Sequence, residues 1–281
     1  MKYLINPIKS FSILATATIT TAMSLTLLTR ADRATAATLD WDSTGWQSGQ
    51  TSGLFDIGGG QVQIDISKGS ETQFSSFNGN QTPDVNAVLN GANPDTNQAL
   101  HLQIDTQKIG AIPENLANNQ VTLAADFLGY NNGVVDDVTF DLFDIDVDSL
   151  NSTNYQWQDR VIVKGFLDGA VIDPIFNIFN TNHTAQIDPY TLEGIKGVAN
   201  DVDDGTVSVS FSSAIDRLEV LFTDGDDTLA SNPAFHGIGI GDISFREIPP
   251  EPKPVPEPSI VLGLGSIGLL VSRCSRRRSQ N

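Results

Sequence analysis

The chain has 281 residues and a formal charge of −18, and between Ala37 and Pro250 only 7 Lys and Arg face 31 Asp and Glu, a formal −24. A body so poor in cationic side chains repels phosphate, which excludes nucleic acid and anionic lipid as partners of that body. Of the 31 acids, 26 are Asp, the short carboxylate suited to turns and to hard-cation ligation, and 40% apolar residues are enough for a core, which excludes a disordered chain.

At the start of the chain, Lys2 and Lys9 precede a mostly apolar run from Phe11 to Leu28, and Ala34 and Ala36 then supply the small residues at −3 and −1 of a signal-peptidase site. Residues 1–36 are therefore expected to be a secretory signal. Arg30, Asp32 and Arg33 lie between the apolar run and the cleavage point, where charge is unusual. An uncleaved N-terminal anchor is the alternative.

The body, 37–248, is dominated by a period of two. Val62, Ile64 and Ile66 alternate with Gln61, Gln63 and Asp65, as half-buried strands require. The same rhythm predicts strands over Leu100–Asp105, Val138–Leu142, Val207–Phe211 and Leu218–Phe222. Further strands are expected at Val121–Phe127, Arg160–Phe166, Ile175–Phe179 and Ile238–Phe245. Between them stand Asn78-Gly79-Asn80, Asn90-Gly91, Asn131-Asn132-Gly133 and Asp168-Gly169, which supply the positive φ of tight turns. Only Asp84–Leu89 and Tyr190–Val198 suggest a turn or two of helix. Strands with one apolar face call for two packed sheets, so the fold class is all-β, an antiparallel β-sandwich of jelly-roll type. The absence of a repeat at ~40 residues disfavours a propeller.

Asp144, Asp146 and Asp148 follow a strand at i, i+2 and i+4. On a straight strand these carboxylates would stand ~7 Å apart. A bend after Asp144 would let them converge on Ca²⁺ at ~2.4 Å as a structural ion. Ser149 and Tyr155 stand where an EF-hand would need Gly and Glu, so this is not an EF-hand. The competing reading is a solvated acidic strand end. Asp224-Gly225-Asp226-Asp227-Thr228-Leu229 is half of one Asp-Gly nonapeptide in a single copy, and Asp201, Asp203 and Asp204 read as a turn. His101, His183 and His236 are far apart in the chain, with His101 on the polar face of its strand, and no nucleophile motif or zinc pair is present, so no catalytic residue is assigned. Trp157 is the preferred exposed platform for stacking on a sugar ring, while Trp41 and Trp46 have core packing as the commoner fate. Arg160 is expected to pair with a carboxylate.

Beyond the body, prolines at 249, 250, 252, 254, 256 and 258 make a stiff linker over 249–258 through which no sheet continues. Ile260–Val271 is an uncharged apolar run, a short helix in expectation, and Arg273, Arg276, Arg277 and Arg278 follow as a cytoplasmic stop. Val255-Pro256-Glu257-Pro258-Ser259, the apolar run and the arginine cluster, together 255–281, resemble the PEP-CTERM sorting signal. The resemblance implies a bacterial protein exported through the inner membrane, anchored transiently by its tail and handed to an exosortase, in the company of exopolysaccharide and biofilm production. The run of 12 residues spans ~18 Å against a ~30 Å hydrocarbon core, shorter than a full span. Phe140–Asp146, Gln158–Val161 and Gly239–Phe245 are also similar to jelly-roll bodies of surface proteins. The single cysteine, Cys274, lies among the tail arginines, so the exported body has no disulfide.

Two functions fit these observations. The first is a non-catalytic protein of the cell surface, outer membrane or extracellular matrix, Ca²⁺-stabilised and associated with polysaccharide. The alternative is an extracellular carbohydrate-active enzyme working through paired carboxylates.

Overall fold

The computed structural model describes residues 35–89, 98–148, 156–199, 202–233 and 235–249. Ala34, the sorting motif Val255–Ser259, the apolar run 260–271 and the arginines Arg273, Arg276, Arg277 and Arg278 lie outside the described residues. Among the described residues no helix is long and apolar enough to cross a membrane.

The first strands are β1 (Ala36–Leu39), β2 (Ser52–Ile57), β3 (Gly60–Lys68), β4 (Thr72–Phe74), β5 (Ser76–Phe77), β6 (Asn80–Gln81), β7 (Asp84–Asn86) and β8 (Ala99–Thr106). The middle of the body holds β9 (Val121–Leu128), β10 (Val135–Phe143), β11 (Asp159–Leu167), β12 (Ala170–Ile172) and β13 (Ile175–Ile178). It closes with β14 (Thr184–Gln186), β15 (Thr191–Gly194), β16 (Val207–Ser210), β17 (Arg217–Asp224), β18 (His236–Ile240) and β19 (Ile243–Glu247). Two one-turn helices, α1 (Trp41–Thr44) and α2 (Pro113–Leu116), interrupt this all-β chain.

Among the described residues every pairing is antiparallel. One sheet runs β14-β15-β11-β17-β9-β3-β2, with β12 on the far end of β11. The other is centred on β10, which has β16 and then β13 on one side and the β18–β19 segment on the other. The apolar members of the alternating strands point into one core shared by both sheets, among them Ile64, Leu102, Leu123, Phe140, Val163 and Phe222. The result is a β-sandwich-like fold. Removing such apolar surface from water is the main stabilising term, at ~25 cal/mol per Å².

Turn chemistry sets the hairpins. Asn78 and Gly79 between β5 and β6, and Asp168 and Gly169 between β11 and β12, all have positive φ, the backbone twist that two-residue hairpins favour. Ala36 opens β1 opposite Arg246, so the cleavage expected after Ala36 would leave Ala37 inside that strand.

Three expectations need correction. Asp84–Leu89 and Tyr190–Val198 are not helical: β7 pairs with β8 and β15 with β11, so ladder partners remote in sequence override weak local preference. Ile238–Phe245 is not one strand. It breaks at Gly241–Asp242, where the register against β10 slips by one residue, a β-bulge between Leu142↔Ile240 and Thr139↔Ser244. His101 lies, as expected, on the face of β8 away from the core, and it is buried there, its ring edge-on to Phe77 with centroids 5.1 Å apart.

Candidate cation site at the end of strand β10

Strand β10 stops at Phe143 because Asp144 takes φ +64, a left-handed conformation that Asp tolerates better than most residues. The chain then turns alongside the start of β11. The Ile145 N–H donates to the Gly205 carbonyl, the Asp159 N–H to the Asp146 carbonyl at 2.9 Å, and Val147 bridges Gln158.

These contacts bring Asp144, Asp146 and Asp148 onto the wall of one cavity of about 240 Å³, shared with Gln103, Trp157 and His236. Asp146 and Asp148 are each fixed through a single oxygen. Asp146 Oδ2 accepts the Val198 N–H at 2.7 Å, and Asp148 Oδ2 accepts the Gln156 N–H at 2.8 Å. Among the described residues their Oδ1 atoms, which are buried, have no hydrogen-bond partner, nor has Gln103 Oε1. A buried acceptor left unpaired is costly unless something fills its lone pairs.

Burial, then the charge of Asp159, pushes the Asp144 carboxyl up to about 8. Burial, then Asp144 and Asp159, pushes Asp146 up to about 10. Asp159, with no exposed surface, is raised by burial to about 6, less far because His236 beside it favours the carboxylate.

Beneath the cavity, β11 and β17 set Asp159 directly opposite Asp224, a like-charge pair that destabilises a sheet when nothing intervenes. His236 intervenes. Its Nδ1 lies 3.1 Å from Asp159 Oδ1, and its Nε2 lies 3.1 Å from Asp224 Oδ1 but off the direction a hydrogen bond needs. Burial pulls the imidazole down, yet Asp224 and Asp159 together raise it. Thr106 Oγ1 donates to Asp224 Oδ2 at 2.6 Å. The His236 ring thus stands between Asp159 and Asp224, and among the described residues no such partner reaches the Oδ1 atoms of Asp146 and Asp148. Arg160, as expected, is taken up by carboxylates, pairing with Glu193 and with Asp226 at 3.6 Å.

Trp157 lines this cavity. It is half-buried, with one ring face stacked on His236 at 5.8 Å and 21°. Trp41 and Trp46 are in the core, packed edge to face at 5.8 Å. The 224–229 segment does not present its acids together, since Asp224 is buried against His236 while Asp226 is exposed. Asp203 and Asp204 form a single 3₁₀ turn, and Asp201 lies outside the described residues. Sequence reasoning missed Asp159, Asp224, His236 and Gln103, which only the sheet register brings together.

The oxygens fit a hard divalent ion such as Ca²⁺, which takes carboxylate and carbonyl ligands in a flexible shell. Among the described residues, no group of three His, Cys, Asp or Glu side chains is placed to hold a metal ion. Comparison with protein-family models, with curated proteins and with solved structures finds no match for the chain.

Proposed function

We propose that this is an exported, non-catalytic protein of the cell surface or extracellular matrix, a jelly-roll-type sandwich whose acidic cavity holds a structural Ca²⁺. Its export and its sorting by an exosortase rest on the termini: the signal-like residues 1–36 and the Pro-Glu-Pro, apolar and arginine sequence of 255–281. The observation that carries the cation is the pair of buried carboxylate oxygens, Asp146 Oδ1 and Asp148 Oδ1, unpartnered among the described residues and on the wall shared with Asp144. A carboxylate in that position either stays protonated or meets a cation, and a calcium-containing exterior supplies the cation.

Terbium(III), an oxygen-seeking stand-in for Ca²⁺, tests this in the full-length chain. With Trp157 on the same wall, indole excitation should sensitise terbium emission, Ca²⁺ should quench it by displacement, and Trp157→Phe should reduce it. No sensitised emission, or emission that Ca²⁺ leaves unchanged, contradicts the cation assignment.

A further inference from the structure

A second concavity, of about 460 Å³, lies on the outer face of the sheet centred on β10. Its floor follows from strand alternation. Phe140 and Leu142 point into the core, so Thr139, Asp141 and Phe143 point outward, and the register places Ser210 beside Thr139 and Ser208 beside Asp141. The bulge at Gly241–Asp242 widens the floor, because Gly241 has no side chain where a Cβ would stand 3.2 Å from the Phe143 ring. Phe179, just beyond β13 and 57% exposed, lines the concavity as well.

The polar groups are nearly all oxygens. Asp141 Oδ1 accepts the Ser208 hydroxyl at 2.5 Å, and Asp242 Oδ1 accepts the Trp41 N–H at 2.9 Å. Asp203 and Gln98 are also among the lining residues. Thr206, 3% exposed, lines the same concavity with its Oγ1 buried and, among the described residues, unpartnered. Among the described residues lining it, none is Lys, Arg or His.

A ligand for these walls must bring hydroxyl donors to carboxylates and to Thr206, and C–H surface to two phenyl rings. It must also carry no negative charge, since Asp141, Asp203 and Asp242 repel one. An apolar ligand would leave the oxygens unpaired. A neutral sugar, with hydroxyls on its edges and C–H groups on its faces, meets all three demands, and the size is ordinary for a small-ligand site. We infer that this face binds a neutral polysaccharide, with Phe143 and Phe179 against the sugar faces and Asp141, Thr206 and Asp242 holding hydroxyls. The inference requires neither the cation nor export.

Electrophoresis of the full-length chain through gels containing neutral glucan, mannan or galactan tests it, with alginate as the anionic comparison and 1 M NaCl to remove purely ionic attraction. At least one neutral gel should retard the chain, equally with and without salt. Phe179→Ala should weaken that retardation about fivefold to tenfold, and Thr206→Val should also weaken it. Leu54→Ala, an exposed residue of the other sheet, should match the wild type. Should Thr206→Val fail to fold, Phe179→Ala, at an exposed position, decides alone. No retardation in any neutral gel, retardation by alginate alone, loss of retardation in salt, or wild-type behaviour of Phe179→Ala overturns the inference.

Discussion

His236 Nδ1 lies 3.1 Å from Asp159 Oδ1, and neither side chain has any surface open to solvent. The same Asp159 accepts the Asp146 N–H at 3.2 Å through Oδ2, so one carboxylate ties the floor of the cavity to its wall. Asp159→Ala takes away the partner of both the Asp146 N–H and His236 Nδ1. Breaking a buried pair from one side costs about 3 to 5 kcal/mol, and urea unfolding should report a loss of that order.

Asp146→Asn should behave differently. Asp146 is already pushed up to about 10 by burial and by Asp144 and Asp159, so at pH 7 without metal the amide replaces a neutral carboxyl. The ion-free stability should change by less than about 1 kcal/mol, whereas the stabilisation by Ca²⁺ should disappear. A variant that unfolds more easily yet keeps its full response to Ca²⁺ would mark Asp146 as structural only. Melting curves with Ca²⁺ and with chelator separate the two.

Gly194, the last residue of β15, has no room for a side chain: a Cβ there would lie 2.0 Å from the Asp146 carbonyl oxygen. The obstacle is backbone, so Gly194→Ala must displace the segment that carries Asp146. Overpacking of this kind costs about 1 to 3 kcal/mol, and calorimetric titration should show Ca²⁺ affinity falling with it.

The rhythm of β3 and β10 was legible in the sequence because each strand has one wet face and one dry face. The hairpin residues Asn78, Gly79, Asp168 and Gly169 were legible because few other residues accept positive φ. Asp144, Asp146 and Asp148 could be grouped because they are near neighbours in the chain. Asp159, Asp224 and His236 could not, since their meeting depends on the β11–β17 register and on β18 crossing beneath it. The stacking of Trp157 on His236 was illegible for a similar reason. Nothing beside it in sequence indicates that His236, on a different sheet, will cover one face of its ring. The strands β7 and β15 are too short for periodicity to register.

His101 provides a pH-dependent marker. Burial, only partly offset by Asp84, brings its imidazole down from 6.5 to about 4. The unfolded chain therefore binds a proton at His101 that the folded chain does not between those values. The stability due to this residue is present above pH 6.5 and is lost as pH falls toward 4. Proton NMR of the ring should show His101 still neutral at pH 5.5; titration near 6.5 would contradict its burial.

Melting of the full-length chain at pH 8 and pH 5, each with Ca²⁺ and with chelator, tests the cation assignment most directly. The folded values of Asp144 and Asp146, about 8 and about 10, lie above the ordinary 3.8. The ion-free fold therefore holds extra protons and loses stability as pH rises from about 4 through 8 and beyond, and an ion that replaces those protons gains most at high pH. At a hundredfold excess over Kd, Ca²⁺ should add about 2.7 kcal/mol, raising Tm by about 5 to 11 °C at pH 8 and by less at pH 5. Identical melting with Ca²⁺ and with chelator at both pH values would contradict it.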